Sequence, residues 1–112
     1  MMLSDIFKVK ADVVDDQGRY GTFEQFECSY NRVISIVSGG IDSNDLADTV
    51  FVVDAWEDGC SPVDTAQEIM ENDDIGCLML EEFLTTRVDA ISANHEKYPI
   101  LSERIRNARS SN

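Results

Sequence analysis

The sequence predicts an α+β fold, a small antiparallel sheet from the N-terminal half packed against helices mainly from the C-terminal half. Three observations predict it. Residues 6–14 alternate, with Phe7, Val9, Ala11 and Val13 on one side and Lys8, Lys10 and Asp12 on the other, the period of a half-buried strand. The run TVFVV within residues 49–56 is short, apolar and β-branched, as suits a buried strand. The second half instead repeats its apolar residues at intervals of three and four, the spacing of helices with one buried face.

The elements follow in order. Asp15, Asp16, Gln17 and Gly18 make a turn after the first strand. Phe23, Phe26, Tyr30, Val33 and Val37 recur at helical spacing behind Thr22, Gln25 completes a capping box, and Gly39 stands where a helix stops. A helix over 22–37 is the reading, with a strand over 31–37 the alternative because VISIV is rich in β-branched residues. Asp58, Gly59, Ser61 and Pro62 end the second strand. Three helices then follow: one with Val63, Ala66, Ile69 and Met70 on its apolar face, one over 77–94 with Leu80, Phe83, Leu84, Val88 and Ile91, and one behind Pro99 with Leu101, Ile105 and Ala108.

A chain of 112 residues with 43% apolar residues and nine aromatics (five Phe, three Tyr and one Trp) has the size and material for one domain, spanning 1–112, with one core. No run approaches the ~20 apolar residues of a membrane span. Cys28, Cys60 and Cys77 are odd in number and form no C-x-x-C pair, so neither a disulfide framework nor a zinc site is indicated. Reduced, mostly buried thiols and a cytoplasmic location are expected.

The charge is segregated. Residues 33–86 hold thirteen acids and no Lys or Arg, while the remainder holds nine acids and nine bases, so the whole formal charge of −13 belongs to this stretch. Its acids are interleaved with VFVVDAW, AQEIM and CLMLEEF, so they decorate folded structure rather than a low-complexity tail. Direct nucleic-acid binding is disfavoured, because neutralising phosphates needs a basic footprint. The face serves either solubility or a basic partner.

The short motif SGGIDS, residues 38–43, follows the apolar VISIV. It resembles the SGGxDS phosphate-binding loop of the ATP pyrophosphatase family, over about a tenth of the chain. That resemblance implies a strand leading into a glycine-rich turn whose N–H groups cradle pyrophosphate at a helix start. Here only residues 44–48 precede the next element, and no base lies nearby to hold phosphates, so a turn is expected. DSNDLAD, residues 42–48, has carboxylates for a hard cation but fails the EF-hand pattern, with Leu46 and Ala47 at a ligand and the glycine position and Val53 where the bidentate Glu belongs. His95, the sole histidine, has no sequence partner for a triad. No catalytic residue, metal or cofactor is assigned.

The expectation is an acidic protein-binding inhibitor or regulator, with Asp64, Glu68, Glu71, Asp73 and Asp74 as contacts for a basic, nucleic-acid-binding protein. Asp64, Glu68 and Glu71 stand at i, i+4 and i+7 and rise about 5 to 6 Å between neighbours on a helix face, a spacing comparable to that of phosphates. In composition this resembles nucleic-acid mimics among phage and mobile-element inhibitors of restriction and CRISPR systems. The alternatives are an assembly subunit that buries Trp56, Met70 or Met79 in a homo-oligomer interface, and a nucleotide-binding enzyme acting through SGGIDS.

Overall fold

In the computed structural model, which describes residues 2–7 and 18–110, every regular element is helical. The order is α1 (Leu3–Ile6), α2 (Phe23–Ser38), a 3-10 turn (Ser43–Asp45), α3 (Thr49–Glu57), α4 (Pro62–Asn72), α5 (Asp74–Glu82), a π-helical segment (Phe83–Arg87), α6 (Val88–Ala93) and α7 (Pro99–Ser110). The predicted α+β class is therefore corrected: among the described residues there is no strand and no antiparallel sheet, and the fold is all-helical. The alternation over 6–14 lies mostly outside the described residues, and Ile6 instead closes α1, fully buried with Leu3.

The second predicted strand is α3. Asp48 caps it, Oδ1 accepting the Phe51 N–H at 3.0 Å, which starts a helix where TVFVV alone favours an extended chain. Only Val52 is buried, while Val50 and Phe51 are exposed. A β-branched run forms a strand only beside a partner that satisfies its backbone groups; with none among the described residues, a helix satisfies them internally.

Helix α2 forms as its sequence predicts. Thr22 Oγ1 accepts from the Gln25 N–H, Gln25 Oε1 accepts from the Thr22 N–H, and Gly39 terminates the helix at φ +80°, a conformation that costs glycine little. Phe26, Tyr30, Val33 and Val37 are buried as expected, together with Ile34. The β-branched residues of VISIV thus pack inward from a helix.

The buried core joins Phe26, Tyr30 and Ile34 of α2 to Ala66 and Met70 of α4, to Phe83 and Val88, and to Ile105 of α7. Helix α4 is central, packing against α1, α2, α3 and α5. Its buried Gln67 links two elements: Oε1 accepts from the Leu3 N–H at 2.7 Å and Nε2 donates to Glu71 at 2.8 Å. At the α4–α5 corner, a Cβ on Gly76 would stand 3.0 Å from the Met70 carbonyl oxygen, so glycine permits this close approach.

Residues 74–93 run as one helix interrupted by the π segment, where the Val88 N–H donates to the Phe83 carbonyl five residues earlier. Phe83 and Val88, both fully buried, thereby both face the core at a five-residue spacing that a regular α-helix would turn apart. The same extra residue positions Arg87 to reach the C-terminus of α2. Its Nη1 donates to the Val37 carbonyl and its Nη2 to the Ile36 carbonyl, each at 2.8 Å, and its guanidinium lies 5.5 Å from the Phe83 ring centre.

Tyr30 is 1% exposed and its hydroxyl has no hydrogen-bond partner among the described residues. Burial pushes the phenol from 10.0 up to about 12. The folded protein therefore keeps this proton through a range in which the unfolded chain releases it. Stability is complete below about pH 10 and falls as pH rises towards about 12, by about 2 to 3 kcal/mol in all. Tyr30→Phe is expected to be neutral, or stabilising by up to about 1 kcal/mol, at neutral pH. It should also lack this alkaline step. Denaturant unfolding at neutral and alkaline pH checks both, and an equal alkaline loss in both proteins would place the step elsewhere.

Candidate acidic interface

Helix α4 starts with Pro62 at its first turn, and Ser61 Oγ accepts from the Asp64 N–H at 3.0 Å. Pro62, Val63, Thr65, Ala66, Gln67, Ile69 and Met70 are buried, which leaves Asp64, Glu68, Glu71 and Asn72 as the exposed line of the helix. The three acids predicted as contacts are thus its protruding face, and Asp73 and Asp74 continue them into the corner with α5. The five differ in freedom. Asp73 is half-buried and caps α5, its Oδ2 accepting from the Gly76 N–H at 2.7 Å, and Glu71 accepts from Gln67. Asp64, Glu68 and Asp74 are exposed in the first or middle turns of their helices.

Asp58, one of the thirteen acids of the stretch but not among the predicted contacts, belongs to the same field. Cys60 is exposed, yet its thiol is pushed above the ordinary range, first by partial desolvation and then by the negative charges of Asp58, Glu68 and Asp64. The short turn Asp58-Gly59-Cys60-Ser61 into α4 was the available signal. Because the thiolate is the reactive form, Asp64→Asn with Glu68→Gln is expected to quicken alkylation of Cys60 at about pH 8, and added salt should do the same by screening. Site-resolved alkylation rates check this, and a rate indifferent to both changes would show that the acids exert no field there.

Of the thirteen acids in residues 33–86, all but Asp73 are exposed. The one ion pair between described residues joins Arg109 to Asp89, outside this stretch. The bases are engaged differently: Arg87 caps α2, Arg19 lies 4.7 Å over the Trp56 ring and Lys97 5.4 Å over Tyr98, and Arg106 donates to His95. The acidic face is consequently not neutralised within the molecule by any described base.

Beside this face, a groove of about 390 Å³ lies between the start of α3 and the end of α4, with Leu46, Phe51 and Ile69 flanked by Asp48 and Asp73. Phe51 is 44% exposed, and Val50, Ile75 and Leu78 are each about two-thirds exposed. Trp56, Met70 and Met79, named from sequence as oligomer contacts, face inward instead. Met70 is fully buried, Met79 packs against the core, and Trp56 Nε1 donates to the Gly21 carbonyl at 3.0 Å.

SGGIDS begins at the C-terminus of a helix rather than at the end of a strand. The Gly39 and Gly40 N–H groups both donate to the Ser35 carbonyl, the Ile41 N–H to Ser38 Oγ at 3.0 Å, and the Asn44 N–H to Asp42 Oδ1 at 3.0 Å. Ser43 Oγ donates to Asn31 Oδ1, fastening the loop to α2. The donors that a phosphate loop aims at its ligand close a helix end here, beside the negative pole of α2. His95 Nδ1 lies 2.8 Å from Ser102 Oγ and 3.0 Å from Arg106 Nη2. Arg106 can only donate, so this nitrogen accepts. Ser102 is fully buried. All three cysteines are exposed and free, which corrects the expectation of buried thiols, since each falls on the outer side of its helix or turn.

Among the described residues no group of three or more His, Cys, Asp or Glu is placed to hold a metal ion, and no helix is long and apolar enough to cross a membrane. No family model matches this chain, and no curated protein or solved structure is significantly similar to it.

Proposed function

We propose that the α4 face, Asp64, Glu68 and Glu71 with Asp73 and Asp74 beyond them, binds a basic nucleic-acid-binding protein and competes with its nucleic acid. The observation that carries this reading is that the exposed line of the central helix is acidic, within a stretch holding thirteen acids and no base. A basic groove built for phosphates meets regularly spaced carboxylates there, and the uncompensated field steers such a partner in. Phe51, Ile75 and Leu78 add apolar area beside the charge, the means by which an interface gains affinity beyond electrostatic attraction. The protein acts in this reading as a cytoplasmic inhibitor or regulator, of the kind that blocks restriction, CRISPR or nucleoid proteins, and it needs no cofactor.

Affinity capture from the host with the native protein and with the Asp64→Asn, Glu68→Gln, Glu71→Gln variant tests the proposal. A basic protein held by the first, lost by the second and displaced by duplex DNA or RNA is the expected result. A partner retained equally by both proteins and indifferent to nucleic acid would refute the mimicry. The exposed Val50, Phe51, Ile75 and Leu78 also suit an assembly subunit, and a mass in solution that is a multiple of the single chain, reduced by Phe51→Ser, would favour that reading.

A further inference from the structure

Two clefts open along the side formed by α2 and α7, the first reaching Pro62 and Val63 at the start of α4. One, of about 440 Å³, has Phe26, Val33, Ile36, Ile100 and Leu101 among its walls together with Arg32 and Arg104. The other, of about 550 Å³, contains Arg87 and Lys97. Ile36 and Leu101 line both, so the two form one trough. Every charged residue among the described residues that line it is basic, although the protein carries a formal charge of −13.

Two of these cations are already engaged, Arg87 on the α2 carbonyls and Lys97 over Tyr98. The pair in the first cleft is not satisfied in this way. Arg104 makes one long hydrogen bond, 3.4 Å from Nη1 to the Ile6 carbonyl. Arg32 makes no hydrogen bond or ion pair with any described residue. A guanidinium offers parallel N–H donors that fit a carboxylate bidentately, and two of them on an apolar wall, with no described acid between, leave positive charge for a ligand to neutralise. A volume of about 440 Å³ lies within the range of small-molecule sites, which are mainly apolar with a few polar groups that orient the ligand.

We propose that this α2–α7 cleft binds an organic carboxylate with an apolar body, its head between Arg32 and Arg104 and its chain along Val33, Ile36 and Leu101. A singly charged head is favoured over a phosphate dianion because the cost of taking a charge out of water against an apolar wall rises with the square of the charge, while the attraction of the two guanidiniums rises only in proportion to it. The cleft reaches Pro62 and Val63 at the start of α4, but none of the acids of that helix lines it, so the site stands whether or not the acidic face binds a protein.

Decanoate titrated into the full chain, followed by amide chemical shifts, provides the test. Saturable shifts confined to α2, α7 and the neighbouring Phe7, Tyr20 and Val63 are expected, with decanol and decyltrimethylammonium binding at least tenfold more weakly. Arg32→Gln should weaken decanoate about tenfold, in line with the loss of one charge-assisted hydrogen-bonding group. It should leave the fold unchanged, since Arg32 is exposed. Arg104→Gln should weaken it similarly, with unfolding curves separating this from any effect on the Ile6 contact. Decanol binding as tightly as decanoate, or Arg32→Gln binding decanoate like the native protein, would overturn the carboxylate site. Decyl phosphate binding more tightly than decanoate would reassign the head group, and a low-salt dimer dissociated by decanoate would assign the cleft to a second copy of the chain.

Discussion

Arg87→Ala is expected to lower the free energy of unfolding by about 2 to 4 kcal/mol, among the larger effects available to a half-buried side chain. Its guanidinium donates to the carbonyls of both Ile36 and Val37 at 2.8 Å. Both belong to the last turn of α2, whose terminal carbonyls lack intrahelical partners. Charge-assisted bonds there are worth more than neutral ones, and the cation also faces the negative end of the helix dipole. The contact with Phe83 adds packing and a cation–π attraction of about 0.5 to 1 kcal/mol. Alanine would leave two carbonyls to a poorly placed solvent and open the Phe83 edge. Arg87→Lys should fall between the two, because a single ammonium cannot span both acceptors in the planar geometry of the fork. Urea unfolding of the three proteins measures this, and a loss under about 1 kcal/mol for alanine would show that solvent replaces the cap.

The second large effect is on binding. Asp64→Asn, Glu68→Gln and Glu71→Gln together should weaken the basic partner by roughly ten- to a hundredfold, with most of the change in association rate and salt sensitivity. The fold should hardly notice. Glu71→Gln retains an oxygen to accept from Gln67, and Asp64→Asn keeps the backbone bond to Ser61. Loss of a favourable acid in the first turn of α4 costs a few tenths of a kcal/mol, and relief of repulsion among neighbouring acids offsets it. Stability should stay within about 1 kcal/mol of the native protein while affinity falls. Affinity unchanged at low salt would place the interface on the apolar residues around Phe51 instead.

Local chemistry carried much of the helical organisation. The Thr22/Gln25 box and Gly39 bounded α2 because capping bonds and a positive φ are decided within a few residues of chain. Pro62, Pro99 and the three- and four-residue apolar spacing located α4, the 74–93 helix and α7 for the same reason. The acidic line of α4 was equally legible, since once Val63, Ala66, Ile69 and Met70 turn inward, Asp64, Glu68 and Glu71 have one direction left.

Pairing decided the rest. TVFVV has the composition of a buried strand, but a strand needs neighbours far away in sequence, and the chain supplies a capping Asp48 and helical company instead. The π turn that turns both Phe83 and Val88 into the core and aims Arg87 at α2 depends on contacts fifty residues apart. The sequence by itself determined where charge accumulates and which helix faces are apolar, because both are properties of neighbouring residues. Only the tertiary structure decided that no described strand forms, that the cysteines lie outside, and that Arg32 and Arg104 share a cleft with no acid among its described lining residues, because those outcomes depend on which distant surfaces satisfy one another's backbone groups and bury one another's apolar area.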